Sequence, residues 1–217
     1  MTPMRAPRRP VRSALVAMAL LLSACGEEQT WNLRDISGVM PDLQFALTRA
    51  ADGRAVTQTD YEGKVTVLFF GFTSCPDVCP LTMSKFAAAL DGMERADDVR
   101  FLFVSVDPRR DTREVLRDYV GAFGEQFVGL RGDIPVLREL TKRYRVTFSY
   151  GDGYGQDDES GGHEHGGEAG DHDHGDYDVS HSSAAFVFDR DGDVRLLARQ
   201  DASIDAIQAD LEQLVES

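Results

Sequence analysis

Residues 64–72 (KVTVLFFGF) are almost continuously apolar and dominated by β-branched and aromatic side chains. Such a run has no polar face to offer water, so it reads as a strand buried on both sides, which demands packed layers above and below it. Thr73-Ser74-Cys75-Pro76-Asp77-Val78-Cys79-Pro80 follows at once, and then Met83, Phe86, Ala87 and Leu90 at the spacing of one helix face. The chain thus passes from a buried strand through a tight turn into an amphipathic helix. Two of its three cysteines lie in that turn. A thiolate there faces unpaired backbone N–H groups and the positive helix end, which predicts a lowered pKa and exposure to soft metals or to oxidation.

The same alternation continues along the chain. Phe45, Leu47 and the turn Asp52-Gly53 suggest an N-terminal β-hairpin. Residues 99–106 read as a second buried strand, and Asp111-Thr112-Arg113-Glu114 as a capping box opening a helix that buries Leu116, Tyr119, Val120 and Phe123. A strand near 127–130, a helix over 134–144, strands at 184–188 and 194–198, and a helix capped by Ser203 complete the pattern. Residues 151–178 contain mainly Gly, Asp, Glu and His with almost nothing apolar, and are read as an inserted acidic His-rich loop. Strands alternating with helices, then a closing hairpin and helix, predict an α/β protein with a mixed sheet flanked by helices. With a cysteine at the start of the first helix, the thioredoxin-like architecture is the natural candidate.

Arg5, Arg8, Arg9 and Arg12 precede an apolar run at 14–22 that is too short to span a bilayer with confidence, and Leu22-Ser23-Ala24-Cys25 reads as a lipobox. The N-terminus resembles that of a bacterial lipoprotein precursor: residues 1–24 a lipoprotein signal peptide, Cys25 the lipidation site, 25–41 a membrane tether, and 42–217 the domain. The expected location is the bacterial cell envelope, facing the periplasm and membrane-anchored through lipid, where disulfides persist. Gly26 leaves inner or outer membrane open. Net charge is −14, and loss of the four N-terminal Arg brings it to about −18, which excludes nucleic acid as a partner. No internal repeat is visible, and a monomer is expected.

A Cys-x₃-Cys spacing lets both sulfurs reach one point if the intervening residues turn back, as at a helix N-terminus, where Pro80 suits the first helical position. Two soft thiolates select Cu(I) or Zn, or join as a disulfide. The spacing is one residue longer than the common redox motif, which tilts towards metal. His181, in Tyr177-Asp178-Val179-Ser180-His181-Ser182, is the candidate third ligand, because in a thioredoxin-like sheet the loop before that strand approaches the cysteine turn. Two sulfurs and an imidazole suit Cu(I), and accept Cu(II) with a further ligand. A lone histidine is as readily a structural or surface residue, so metal and redox chemistry both stay open.

GKVTVLFFGFTSCPDVCP, FVSVDPRRDT and YDVSHSSAAFVFDRDG, in that order, resemble the Sco/SenC family over about residues 43–215. The resemblance implies a thioredoxin-like copper-binding domain in which Cys75, Cys79 and His181 hold one copper ion, Cu(I) or Cu(II). It implies a metallochaperone that takes copper from a periplasmic donor and delivers it to the copper-bearing subunit of cytochrome c oxidase, during assembly of the binuclear copper site. The alternative is a thiol–disulfide reductase in which Cys75 and Cys79 cycle as a redox pair and keep the oxidase's cysteines reduced. A peroxidase on the same fold is a third reading, hinted at by Thr73. Asp107, Arg110 and Asp111 match the family's Asp-Pro-x-Arg-Asp signature, a supporting element to which no copper is assigned. Ser74 stands where members frequently carry His or Tyr, a difference expected to affect redox tuning at most. His163, His165, His172 and His174 form pairs among carboxylates that suit weak secondary metal capture.

Overall fold

The computed structural model describes residues 30–150, 179–181 and 184–217, the segment 179–181 by its strand pairing alone. The signal peptide, Cys25 and the His-rich loop with His163, His165, His172 and His174 lie outside the described residues. The apolar run becomes β4 (Val65–Gly71), in which every residue is buried. It pairs in parallel with β5 (Val99–Ser105), which pairs in parallel with β6 (Phe127–Arg131). On its other side β4 pairs antiparallel with β9 (Ala185–Phe188), which forms a hairpin with β10 (Val194–Ala198). The edges are β1 (Arg34–Asp35) against β10, and the hairpin of β2 (Ala46–Arg49) and β3 (Ala55–Thr57) against β6. The order is β1-β10-β9-β4-β5-β6-β2-β3. The expected N-terminal hairpin is present, its turn made possible by Gly53 at φ +74°.

Four helices flank the sheet among the described residues: α1 (Val78–Asp91), α2 (Arg113–Gly121), α3 (Ile134–Arg143) and α4 (Ile204–Glu216). Alternation along β4 sends Phe69 and Phe70 to opposite faces. Phe69 meets Phe101 and Phe103, which in turn meet Phe86 of α1 and Tyr119 of α2. Phe70, Phe186 and Phe188 instead surround Tyr144, the residue that ends α3. Both faces of the central strand are therefore covered by aromatic cores, as its nearly continuous apolarity requires.

Three local expectations are corrected. Residues within the expected tether are folded into the domain: Leu33 and Ile36 are buried, and β1 extends the sheet. Asp210, fully buried on α4, accepts hydrogen bonds from Asn32 N (3.0 Å), Asn32 Nδ2 (2.9 Å) and Leu33 N (2.7 Å). This long-range clamp has no local sequence signature. Second, α2 is capped by Thr112, whose hydroxyl accepts from Val115 N, and not by Asp111. Third, α1 begins at Val78, so Pro80 is its third residue. That position is still in the first turn, where an absent N–H costs no intrahelical bond.

Candidate metal centre

The cysteine turn leaves the C-terminal end of β4, beside the turn that leaves the C-terminal end of β5, since Gly71 and Ser105 are paired in register. Cys75 N donates to Phe72 O at 3.2 Å, which folds the chain back on itself. Cys79, in the first turn of α1, then directs its backbone N–H at Cys75 Sγ over 3.5 Å. Both residues are thiols, Cys75 9% exposed and Cys79 fully buried. The turn thus brings the sulfur of one cysteine under the backbone N–H of the other.

The predicted lowering of thiol pKa does not hold at Cys79. Burial pushes its thiol well above the ordinary value, a backbone hydrogen bond from Phe72 opposes the rise, and the Cys75 sulfur adds to it. Desolvation of a thiolate inside the core outweighs the helix end. A buried sulfur of this kind would lose its proton to solvent readily when a bound cation takes the proton's place on the sulfur.

The turn after β5 holds the cysteine turn in place. Asp107 and Asp111 are both fully buried. Asp107 pairs with Arg110, whose guanidinium lies 5.8 Å from the centre of the Phe72 ring. Asp111 accepts from Thr73 Oγ1 (2.6 Å), Thr73 N (3.1 Å) and Ser105 Oγ (2.5 Å). Burial raises the Asp111 pKa, the bonds from Ser105 and Thr73 oppose that, and the charge of Asp107 reinforces it. The signature residues Asp107, Arg110 and Asp111 therefore converge on Phe72 and Thr73, immediately before Cys75.

His181 lies on a short ribbon, β7 (Phe148–Tyr150) paired antiparallel with β8 (Val179–His181), where Phe148 faces His181 and Tyr150 faces Val179. The Tyr150 hydroxyl donates to Val106 O, and Val106 N donates to Gly71 O at 2.8 Å. The ribbon carrying His181 is thereby tied to the end of the sheet from which the cysteine turn emerges.

The SCO1/SenC family model matches residues 41–216. The chain belongs to the SCO1/SenC family. The mitochondrial SCO1 homolog 1 of Arabidopsis thaliana is 42% identical over 106 residues, which cover 48% of this chain and 31% of that one. The chain thus spans about a third of the length of that curated relative. A crystal structure of Arabidopsis thaliana ScoI with copper bound is similar at a TM-score of 0.65 and 28% identity, covering 81% of this chain and 98% of that one. The Bradyrhizobium japonicum ScoI structure with copper bound gives 0.63 and 31%, covering 80% and 98%. The thioredoxin-like mixed sheet flanked by helices, expected from sequence, is the SCO1/SenC fold.

Sequence reasoning missed several residues that build this SCO1/SenC site. Gly71 was one apolar letter among others, although a glycine inside a strand often marks close approach. Ser105 and Tyr150 carried no signal at all. Tyr119 was placed only in the core, yet its buried hydroxyl has no hydrogen-bond partner among the described residues. Burial first, then the charges of Cys79, Cys75 and Asp111, push its phenol pKa up.

Proposed function

We propose that this domain is a copper metallochaperone that delivers copper to the binuclear site of cytochrome c oxidase during its assembly, with Cys75, Cys79 and His181 as the ligands. The observation that carries the reading is the Cys75–Cys79 turn at the end of β4, with the His181-bearing ribbon tied to the same end of the sheet. Two sulfurs and one imidazole match a soft ion such as Cu(I), and three-coordination leaves an open position for ligand exchange with a recipient's thiolates. Copper in the similar ScoI structures supports the same cargo. Reconstitution of the domain with Cu(II) is expected to give a sulfur-to-copper charge-transfer band that Cys75→Ser, Cys79→Ser and His181→Ala each abolish or shift. A band unchanged in all three variants sinks the ligand assignment.

The reductase reading is supported by the same two thiols, one of them partly accessible and four residues from its partner. Redox cycling has no use for His181, so His181→Ala separates the two: oxidase assembly lost together with copper binding supports the chaperone, and assembly retained supports the reductase. The peroxidase reading weakens, since the Thr73 hydroxyl donates its proton to Asp111.

The cell-envelope setting proposed here is a periplasm-facing domain anchored by lipid on Cys25 after removal of residues 1–24. Among the described residues no helix is long and apolar enough to cross a membrane. Deletion of 157–176, with its four histidines, is expected to remove weak metal binding and leave one tight copper site, counted by native mass spectrometry.

A further inference from the structure

The fully buried carboxylate of Asp111 is neither a helix cap nor one of the proposed copper ligands. Its oxygens take hydrogen bonds from Thr73 N, Thr73 Oγ1 and Ser105 Oγ, all uncharged donors. Two of these three come from one residue, two positions before Cys75. Ser105 Oγ also accepts from Asp107 N at 3.1 Å, so its proton is directed at Asp111 while a lone pair serves the backbone. An amide in its place can keep an acceptor for Thr73 N and Ser105 Oγ only with its NH₂ at the Oδ1 position, where the Thr73 hydroxyl has to reverse its hydrogen bond. All three bonds then lose their ionic acceptor.

We propose that Asp111 is a positioning residue for the copper centre, which sets the separation of the Cys75 and Cys79 sulfurs by holding the backbone and hydroxyl of Thr73. The path is short. Thr73 is fixed to the turn after β5, Phe72 O holds Cys75 N, and Cys75 Sγ receives the N–H of Cys79. With Thr73 released, the segment from Phe72 to Cys75 loses its hydrogen bonds to the turn after β5, while the turn bond from Cys75 N to Phe72 O and the Arg110 contact on the Phe72 ring remain. The inference rests on the copper reading for its ligand, and on the hydrogen bonds alone for its geometry.

The test compares Asp111→Asn, Thr73→Val, Thr73→Ser and Asp210→Asn in the whole domain. Asp210 is an equally buried carboxylate that clamps the N-terminal segment, so it controls for loss of stability alone. Asp111→Asn is expected to shift the Cu(II)–sulfur charge-transfer band and to speed copper loss to a chelator by about tenfold or more, the range for groups that orient a ligand without touching the metal. Thr73→Val should move both readouts in the same direction, Thr73→Ser should restore them, and Asp210→Asn should move neither. Copper-free protein gives a separate readout: alkylation of Cys75 is expected to change roughly tenfold in Asp111→Asn, the factor carried by one lost charge-assisted hydrogen bond. Wild-type band, chelator rate and alkylation rate in a folded Asp111→Asn protein overturn the inference. If that variant does not fold, wild-type values in Thr73→Val overturn it. If the wild-type domain gives no charge-transfer band at all, the copper reading fails, and the alkylation rates still decide the positioning role.

Discussion

The sulfur of Cys79 lies against the bare α-carbon of Gly71: a Cβ at position 71 would sit 2.8 Å from Cys79 Sγ and 2.9 Å from the Phe103 ring. The strand that ends at the cysteine turn therefore has to end in glycine, because the helix presses its buried sulfur onto it. Gly71→Ala is expected to destabilise the domain by about 1–3 kcal/mol through overpacking. In a Cys79→Ala background the same substitution should cost less, since one of the two colliding groups is gone. Urea unfolding of the four proteins of this cycle measures the difference, and equal costs in both backgrounds would count against the contact.

Arg110 and Arg117 both pair with an aspartate, in different surroundings. Asp107 is fully buried, whereas the Arg117–Asp118 pair is largely exposed. Arg110→Ala takes a cation away from a carboxylate inside the protein and is expected to cost about 3–5 kcal/mol. Arg117→Ala should leave the unfolding midpoint unchanged within error. Denaturant melts of the two variants check the contrast.

Asp210→Ala is expected to free the N-terminal segment from α4. It leaves Asn32 N, Asn32 Nδ2 and Leu33 N without their acceptor. The loss is roughly 3 kcal/mol, as for buried hydrogen bonds to a charged group. Hydrogen exchange should quicken at Asn32 and Leu33 while β4 and β5 stay protected.

Burial raises the Cys79 thiol pKa in the metal-free domain, so the folded state keeps a proton that the unfolded chain releases near pH 8.5. The sign follows from linkage: above that pH the folded state binds more protons, and stability falls as pH rises. The contribution is intact below about pH 8.5 and declines by at most about 1.4 kcal/mol per pH unit above it. Cys79→Ala should flatten that decline between about pH 8.5 and 9.5, below the range where tyrosines of the unfolded chain ionise. An identical slope in wild type and variant would show that another group is responsible.

Much of the fold was legible in local pattern. The nearly continuous apolarity of 64–72 and of 99–106 announces central strands, and helix-face periodicity announces α1 from Met83, Phe86 and Leu90. The hairpin at Asp52-Gly53 was equally plain. The ribbon of β7 and β8 was not seen, because strands this short carry no periodicity of their own. Asp111 was read as a helix cap because its spacing to Glu114 allows one, and its true partners, Thr73 and Ser105, lie on other strands' ends. The edge strand at Arg34–Asp35 reads as tether because β10, which pairs with it, and Asp210, which holds the two residues before it, both lie far along the chain.

The order of residues by itself determined the strand–turn–helix that carries Cys75 and Cys79, and the class of ion that two such sulfurs select. Periodicity and ligand softness are local properties, readable without knowing what packs where. Only the tertiary structure decided that Cys79 is buried against Gly71, that its thiol pKa is raised where a helix N-terminus alone would lower it, and that the signature aspartates grip Phe72 and Thr73. Those outcomes depend on desolvation and on hydrogen bonds between segments distant in sequence, and neither exists until the sheet has assembled.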